Sequence, residues 1–249
     1  MGIEREPWTV VKCAACSFVY LPLAPTYEET QVEFEWDLSA REEKKRRKRE
    51  RPVISWLDAK TRWRLHVFPR PETFRFIMEH VPAGGNVLDV GCGDGRQALR
   101  LGDAYTPFGV EISPQLGEAA NAAFRALGGS AVSAPATEGV AQFDDAMFDG
   151  VMLNSYLEHE LDPAGVLSAL RPKLKPDGVI VLKVPNYGSW NAAVMKQNWC
   201  GVRLPDHVNY FTPRSLGAMA EALGYTVSFP ATANLPTNDN FWAFLRPAA

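Results

Sequence analysis

The chain has 249 residues, a net charge of −3 and a pI near 5.9. Its hydrophobic fraction of 46% and charged fraction of 22% suit one large α/β domain with an appendage, or two small domains. The acidic balance excludes a broadly cationic nucleic-acid binder. No stretch approaches the roughly 18 apolar residues of a membrane helix, and the N-terminus lacks the apolar segment of a signal peptide, so a cytoplasmic location is expected.

The first 80 residues predict an appendage of short strands and helices. Residues 9–22 hold two β-rich runs around Cys13-Ala-Ala-Cys16, which predict a hairpin. Structural zinc usually needs two such cysteine pairs, and the second pair is missing, so no metal site is predicted. Residues 41–51 carry eight basic and three acidic residues, which we interpret as a solvated helical face. Residues 53–81 predict two further helices, separated by prolines.

From residue 81 to residue 249 the pattern changes to alternating strands and helices, which predicts the main domain. The predicted strands cover 86–90, 108–111, 131–134, 148–153, 179–184, 226–229 and 241–245. The predicted helices cover 96–101, 114–127, 163–174 and 213–223. Seven strands with helices between them predict an α/β fold with a doubly wound, mostly parallel sheet.

The chemistry of this domain centres on the end of its first strand. Asp89 lies in that strand, and Gly91, Gly93 and Gly95 follow it. Glycines there let the chain turn sharply and let a ligand lie against the backbone, and the helix that follows favours an anionic group at its N-terminus. Glu111 ends the second strand, where a carboxylate can accept hydrogen bonds from both hydroxyls of a ribose.

Dinucleotide-binding proteins share the glycine loop and the distant acidic residue. Their fingerprint is Gly-x-Gly-x-x-Gly. In this chain Arg96 occupies the position of the third glycine, where a long side chain would hinder close packing of helix on strand. The sequence therefore argues against a nicotinamide-dependent oxidoreductase.

Four motifs in order resemble those of class I S-adenosylmethionine (SAM) dependent methyltransferases. Val-Leu-Asp-Val-Gly-Cys-Gly-Asp-Gly at 87–95 is similar to their motif I, and 109–113 looks like their second-strand motif. Residues 148–159, ending in Leu-Glu-His, and 174–185 resemble the fourth- and fifth-strand motifs. The resemblance implies a Rossmann-like methyltransferase fold, SAM as cofactor, S-adenosylhomocysteine as product and a small-molecule methyl acceptor.

A narrower resemblance links the chain to a broad bacterial methyltransferase group that often carries an N-terminal zinc ribbon. It rests on the Cys-x-x-Cys segment, the basic run and the segment from Trp199 to Leu216. This chain departs from the group by lacking the first cysteine pair, and the group's diversity leaves the substrate open.

The resemblance also implies three groups of residues at the cofactor. The first surrounds the methionine end, the second holds ribose and adenine, and the third faces the sulfonium and the acceptor. In that order they are Asp89, Gly91, Cys92, Gly93 and Gly95; Glu111, Ile112, Ala134, Pro135 and Ala136; and Asn154, Ser155 and Tyr156.

Methyl transfer to a hydroxyl benefits from a general base. His207, in a polar and aromatic loop, and His159, after the fourth strand, are the catalytic candidates. An aromatic-rich region between the fifth strand and the helix at Pro213 either covers the acceptor or forms a secondary core. Its members are Tyr187, Trp190, Trp199, Tyr210 and Phe211, with Tyr20, Trp36 and Trp56 as further candidates from the appendage.

Two other functions are compatible with the sequence. One is RNA or protein methylation that uses residues 41–51, although a nucleic-acid partner is not expected from the overall charge. The other is a SAM-binding module without catalysis, because fold alone does not guarantee function. No membrane partner is expected, and the sequence does not predict the acceptor or the oligomeric state.

Overall fold

The computed structural model describes residues 3–5, 8–22, 49 and 72–248. The predicted basic helix, apart from Arg49, and the first of the two helices predicted over 53–81 lie outside the described residues, as do Trp36 and Trp56. The division into 1–80 and 81–249 stays a prediction.

A seven-stranded sheet forms the main part of the molecule, as the sequence predicts. Its strands are β4 (Asn86–Val90), β5 (Thr106–Glu111), β6 (Ser130–Ser133), β7 (Phe148–Asn154), β8 (Leu174–Pro185), β10 (Tyr225–Ser228) and β11 (Asn240–Pro247). Their spatial order is β10-β11-β8-β7-β4-β5-β6. Strands from β8 to β6 in this order pair in parallel, and β11 runs antiparallel to both of its neighbours.

Helices follow most of these strands. They are α1 (Thr73–His80), α2 (Arg96–Leu99), α3 (Pro114–Arg125), α4 (Ala136–Ala141), α5 (Pro163–Leu170), α6 (Trp190–Met195) and α7 (Pro213–Ala222), with 3-10 turns at Arg171–Lys173 and Lys196–Asn198. Three of them begin with proline after a polar N-cap, a placement that satisfies free amides at a helix start. The sequence missed α4 and α6, which are six residues each and carry weak helical periodicity.

Burial on both faces explains the central strands. In β7 and β8 the residues from Val151 to Leu153 and from Val179 to Leu182 are fully buried between helices. Such continuous apolar runs are typical of parallel sheets. Because β8, β7, β4 and β5 pair in parallel, their C-terminal ends lie at one edge of the sheet, and β4 is next to β7, which is where ligands bind in this architecture.

A second, four-stranded sheet joins the N-terminal hairpin to the main domain. It contains β1 (Ile3–Arg5), β2 (Trp8–Lys12), β3 (Val19–Tyr20) and β9 (Asn209–Tyr210), in that order. The hairpin around the cysteines is thus confirmed, whereas its pairing with β9 is not visible in the sequence. Among the described residues no helix is long and apolar enough to cross a membrane.

Candidate functional site

The glycine loop after β4 turns through left-handed backbone conformations. Gly91, Gly93 and Gly95 have φ values of 71°, 55° and 83°. A Cβ on Gly91 would collide with the ring of Tyr156, and one on Gly95 would come within 2.7 Å of Phe124. Gly95, rather than the exposed Arg96 beside it, therefore provides the close helix packing in this loop.

The carboxylate of Glu111 is bonded to the glycine loop. Its Oε2 accepts the backbone N–H of Gly93 at 2.8 Å, and its Oε1 accepts the backbone N–H of Ser113 at 3.0 Å. The residue is 9% exposed. These bonds hold the end of β5 against the loop that follows β4.

Asp89 is buried beneath this loop without full hydrogen bonding. It is 2% exposed, and its Oδ2 has no hydrogen-bond partner among the described residues. Burial, with the negative charge of Glu111 nearby, raises the pKa of Asp89 to about 7. A buried carboxyl in this condition is costly unless a cationic or hydrogen-bond-donating group meets it.

The side chain of Cys92 faces the protein interior. It packs against Gly109, where an added Cβ would approach Sγ to 2.6 Å, and it belongs to a core cluster with Phe124. Burial raises the pKa of its thiol well above the ordinary value. Residue 92 can therefore face a ligand through its backbone.

The segments expected near ribose and adenine lie together. The backbone N–H of Ala134 donates to the carbonyl of Glu111 at 3.1 Å, which brings the end of β6 beside the end of β5. Ile112 and Pro135 are half-buried, and Ala136 is buried at the start of α4.

The three residues around the end of β7 have different surroundings. Asn154 accepts a hydrogen bond from the hydroxyl of Thr73 at 2.7 Å. Ser155 has a φ of 57° and donates its backbone N–H to the carbonyl of Lys183 at 2.8 Å. The ring of Tyr156 lies against Gly91, and its hydroxyl donates to Glu160. The chain after β7 thus directly adjoins the glycine loop.

A cavity of about 230 Å³ opens beyond the ends of β7 and β8. Its walls come from the segment after β7, the end of β8, the loop from 200 to 207 and the start of β11. The lining residues are Ser155, Glu158, Pro185, Cys200, Gly201, Arg203, His207, Asp239 and Asn240. His207 lines the cavity, and the ring of His159, the other predicted catalytic residue, lies behind it and meets that of His207 edge-on with centroids 4.7 Å apart.

Hydrogen bonds position the two histidines. Nδ1 of His159 lies 2.8 Å from the carbonyl oxygen and 3.0 Å from a carboxylate oxygen of Asp206. Nδ1 of His207 lies 2.8 Å from the carbonyl oxygen of Gly201. Arg203 forms an ion pair with Asp206 at 2.7 Å, which holds that carboxylate in place.

Burial dominates the electrostatics of this cluster. It lowers the pKa of His207 well below the usual value, with further lowering by His159. Burial also lowers the pKa of His159, but the hydrogen bond and charge of Asp206 outweigh it and leave that pKa raised. Burial raises the pKa of Glu158, which is 1% exposed.

The loop that carries His207 is fixed to the turn after β7. The backbone carbonyl of Glu158 accepts the N–H groups of Val208 and Asn209 at 2.8 and 3.1 Å. The buried side chain of Asn209 donates to the carbonyls of Leu157 and Glu160 at 2.9 and 2.6 Å. The sequence missed Glu158 and Asn209 as site residues, although the Leu-Glu-His motif was a signal for the former.

Most of the aromatic-rich region forms a secondary core. Trp199, Tyr210 and Phe211 are 1%, 3% and 1% exposed, and the first two pack with apolar residues of the N-terminal hairpin. Trp199 also supports the cavity wall, because its Nε1–H donates to Asp239 at 2.7 Å. Trp190, in contrast, is 64% exposed.

Comparisons with known proteins agree with this geometry. A family model described as a methyltransferase domain matches residues 62–228. The ubiquinone biosynthesis O-methyltransferase of Thiobacillus denitrificans is 30% identical over 179 residues, which cover 68% of this chain and 77% of that protein. Its counterpart from Azotobacter vinelandii is 31% identical over 190 residues, covering 69% and 78%.

Solved structures share the fold. The 1,6-didemethyltoxoflavin-N1-methyltransferase of Burkholderia thailandensis, solved with bound 1,6-didemethyltoxoflavin and S-adenosylhomocysteine, superposes with a TM-score of 0.57 at 18% identity. The match covers 98% of this chain and 97% of that one. A SAM-dependent methyltransferase from Archaeoglobus fulgidus gives a TM-score of 0.55 at 19% identity, covering 70% of this chain and 90% of that one.

Proposed function

Because the chain belongs to the SAM-dependent methyltransferase family, we propose that it transfers the methyl group of SAM to an oxygen of a small polar molecule bound in the cavity beside His207. The single observation that carries this proposal is the adjacency of the two half-sites. Tyr156 lies against Gly91 of the glycine loop, while Ser155, its neighbour in sequence, lines the cavity.

The residues around the glycine loop fit SAM. Asp89 has a buried carboxylate oxygen without a partner among the described residues, which suits the amino group of a bound amino acid. Glu111 ends β5 with a carboxylate that can accept from ribose hydroxyls. A Cβ on Gly93 would meet nothing within 4 Å, so the backbone there is open to the methionine part. When bound, SAM supplies a methyl group on a positively charged sulfur, which is a good leaving group.

The remaining cofactor contacts are proposed from the positions of the strand ends. Ile112 and the 134–136 segment lie where adenine is expected, because hydrogen bonding joins their segment to Glu111. Cys92 contributes its backbone to the loop. Asn154, Ser155 and Tyr156 occupy the passage between the loop and the cavity, so they are proposed to align the acceptor with the methyl group, which is the main task of such an enzyme.

The cavity suits a small acceptor with polar groups. Its volume of about 230 Å³ is below the roughly 300–1,000 Å³ of pockets for drug-sized ligands. Charged or polar side chains of Glu158, Arg203, His207 and Asp239 line it. The small volume and the polar lining favour a small acceptor over a macromolecular one.

An oxygen acceptor is supported by two observations. A hydroxyl must lose its proton during methyl transfer, and the cluster of Glu158, His159 and His207 supplies proton-accepting atoms at the cavity. The curated relatives described above are named as O-methyltransferases. We therefore propose that this cluster handles the proton of the acceptor hydroxyl, with His207 facing it.

The test is a structure of the protein soaked with S-adenosylhomocysteine, together with radiolabelled methyl transfer to panels of phenols and of amines. The expected result is S-adenosylhomocysteine bound between the glycine loop and Glu111, and label transferred to phenols.

In the reaction with an accepted phenol, His207→Gln should lower kcat/KM by roughly 10²–10⁴-fold without changing the Kd for SAM. His80→Gln, outside the cavity, is the control. Label on amines alone would overturn the choice of oxygen, and absence of SAM binding would overturn the whole assignment.

A further inference from the structure

A second, smaller cavity lies beside the C-terminal parts of β7 and β8. Its volume is about 80 Å³, which leaves room for a group of a few non-hydrogen atoms. Its walls come from these two strands, from the start of α1, and from α2 with its C-cap. The lining residues are all polar: Glu72, Thr73, Gln97, Arg100, Asn154 and Lys183.

Lys183 brings a positive charge to this cavity. Its Nζ lies 5.8 Å from the centre of the Trp242 ring, and it forms no hydrogen bond or ion pair with the described residues. Burial lowers the pKa of Lys183, and the charges of Glu158 and Glu72 offset this only in part. An ammonium group that has lost part of its hydration is stabilised when an anion meets it.

The other cation in the lining already has a partner. Arg100 lies 2.7 Å from one carboxylate oxygen of Glu72, and Arg75 lies 3.3 Å from the second oxygen. Two guanidinium groups therefore match the charge of this one glutamate. Lys183 is left as the cation of the lining without a partner among the described residues.

The neutral side chains of the lining also present donors. Oδ1 of Asn154 accepts a hydrogen bond from the hydroxyl of Thr73 at 2.7 Å, which fixes the orientation of the amide and leaves Nδ2 to donate. Neither this Nδ2 nor the side-chain amide of Gln97 has a hydrogen-bond partner among the described residues. An ammonium group and two amides thus offer N–H donors around one small cavity, and such donors bind an anionic oxygen group strongly.

The surroundings of Lys183 join this cavity to the proposed acceptor site. The carbonyl of Lys183 accepts the N–H of Ser155 at 2.8 Å, and Ser155 lines the larger cavity. The charge of Glu158, which also lines the larger cavity, acts on Lys183, whereas Asp89 at the glycine loop is not among the charges that do. Neighbouring residues of the same two segments therefore line both cavities.

We propose that the methyl acceptor carries a carboxylate group, which Lys183 binds together with Asn154 and Gln97. This inference rests on the proposed function, because it specifies the acceptor of that reaction. The carboxylate accepts hydrogen bonds from the ammonium group and the two amides, while the hydroxyl to be methylated faces His207. The size of the smaller cavity suits a carboxylate, and the charge of Lys183 matches its single negative charge. Lys183 thus selects acidic phenols over neutral ones.

The experiment compares matched acceptors, each pair being a phenolic acid and its primary amide. Hydroxybenzoates, hydroxyphenylacetates and hydroxyphenylpropionates supply the acids, and radiolabelled SAM supplies the methyl group. For the acids that are methylated, kcat/KM should be roughly 10–100-fold higher than for their amides, as expected for hydrogen bonds to a charged group. Lys183→Met should remove this preference chiefly by raising the KM for the acid, because the carboxylate lies away from the reacting atoms.

Two further variants separate the charge of the cavity from the fold. Gln97→Glu puts a second negative charge into the lining and should reduce the preference for acids. Lys175, near the opposite end of β8, is paired with Asp149 at 2.8 Å. Lys175→Met is therefore the control, and it should retain the preference of the parent protein. Circular dichroism should show that every variant is folded.

Binding can also be measured without catalysis. Calorimetric titration with each acid and amide, with and without S-adenosylhomocysteine, should show that the parent protein binds acids roughly 10–100-fold more tightly than their amides. Lys183→Met should bind the two members of a pair equally. If no acid binds more tightly than its amide, or if the preference survives in Lys183→Met, the inference is wrong.

The carboxylate of SAM is the other source of this chemistry. Lys183→Met should leave the Kd for SAM unchanged, and a SAM affinity at least tenfold weaker in this variant would assign the cavity to the cofactor and overturn the inference. Protein that binds SAM and methylates phenols without preferring acids would refute this inference alone. Protein that binds the acids but no SAM would refute the proposed function.

Discussion

Glu111 accepts a hydrogen bond from the backbone N–H of Gly93 at 2.8 Å. The residue that ends β5 is therefore bonded to the loop that follows β4, and its second oxygen is bonded to the N–H of Ser113. The same carboxylate that is proposed to hold the ribose also shapes the loop proposed to hold the methionine part.

Replacing Glu111 by alanine should weaken SAM binding at least tenfold. Hydrogen bonds to a charged group contribute roughly 1.5–3 kcal/mol, and the loop amides also lose their acceptor. Calorimetric titration with SAM measures the effect. Glu118→Ala, at an exposed position on α3, is the control and should leave the Kd unchanged. Equal affinities of the two variants would remove Glu111 from the site.

A pair of glycine variants separates backbone strain from steric collision. Gly84 and Gly91 have φ values of 86° and 71°, but a Cβ on Gly84 meets nothing within 4 Å, whereas one on Gly91 collides with Tyr156. In both alanine variants the left-handed backbone should lower the free energy of unfolding by about 1–2 kcal/mol. Gly91→Ala should lose further stability and should also lose SAM affinity.

Urea denaturation and SAM titration measure these effects. Adding Tyr156→Ala to Gly91→Ala should recover part of the lost stability, because the collision is then removed. Equal losses of stability and affinity in the two single variants would contradict the close approach of Tyr156 to the loop.

Asp89→Asn should stabilise the ligand-free protein more at pH 8 than at pH 5. Burial and the charge of Glu111 raise the pKa of Asp89 from 3.8 to about 7. The folded state therefore holds a proton that the unfolded state has lost, and stability falls as the pH rises from about 4 to about 7. Above about pH 7 the buried carboxylate lowers the free energy of unfolding by its full amount, on the order of 4 kcal/mol. Asparagine, which carries no charge, removes this loss.

Urea denaturation of both proteins at the two pH values measures this difference, with the exposed Asp103→Asn as control. Cys92 and Glu111, the other titratable groups near Asp89, are present in both proteins, so they do not account for a difference between them. The variant should also bind SAM more weakly, since the proposed partner of the amino group is lost. A stability difference that is the same at both pH values would refute the raised pKa of the buried Asp89 carboxyl.

Asn209→Ala should destabilise the fold by about 1–3 kcal/mol. Its amide donates to the carbonyls of Leu157 and Glu160, and both would be left buried without that donor. Chemical denaturation measures the loss, and Asn198→Ala, at a half-buried position, is the control. If Asn209→Ala lowers the free energy of unfolding by less than Asn198→Ala does, other contacts hold the turn after β7.

The proposed cofactor site was predictable because its signals are local. Asp89, the glycines and Glu111 lie at the ends of two neighbouring parallel strands, and strand order brings such ends together in any sheet of this type. The seven strands were found for the same reason, since each is a short apolar run bounded by turn residues. Helices α4 and α6 were missed, since six residues give little periodicity to detect.

The proposed acceptor site was only partly predictable. His159 and His207 were chosen as separate candidates, one by motif and one by its polar loop. Their contact depends on Asn209 and on the pairing of β9 with β3, which are contacts between residues far apart in the sequence. The role of Trp199 as a buried support for Asp239 also depends on such contacts.

The sequence by itself determined the fold class, the family resemblance and the loop proposed for SAM, because strand periodicity, glycine and terminal carboxylates act over a few residues. Only the tertiary structure decided that Glu158, His159 and His207 converge and that Asp89 is buried without a full set of partners. Convergence and burial depend on how distant segments pack, and no local pattern of residue types encodes the distance between them.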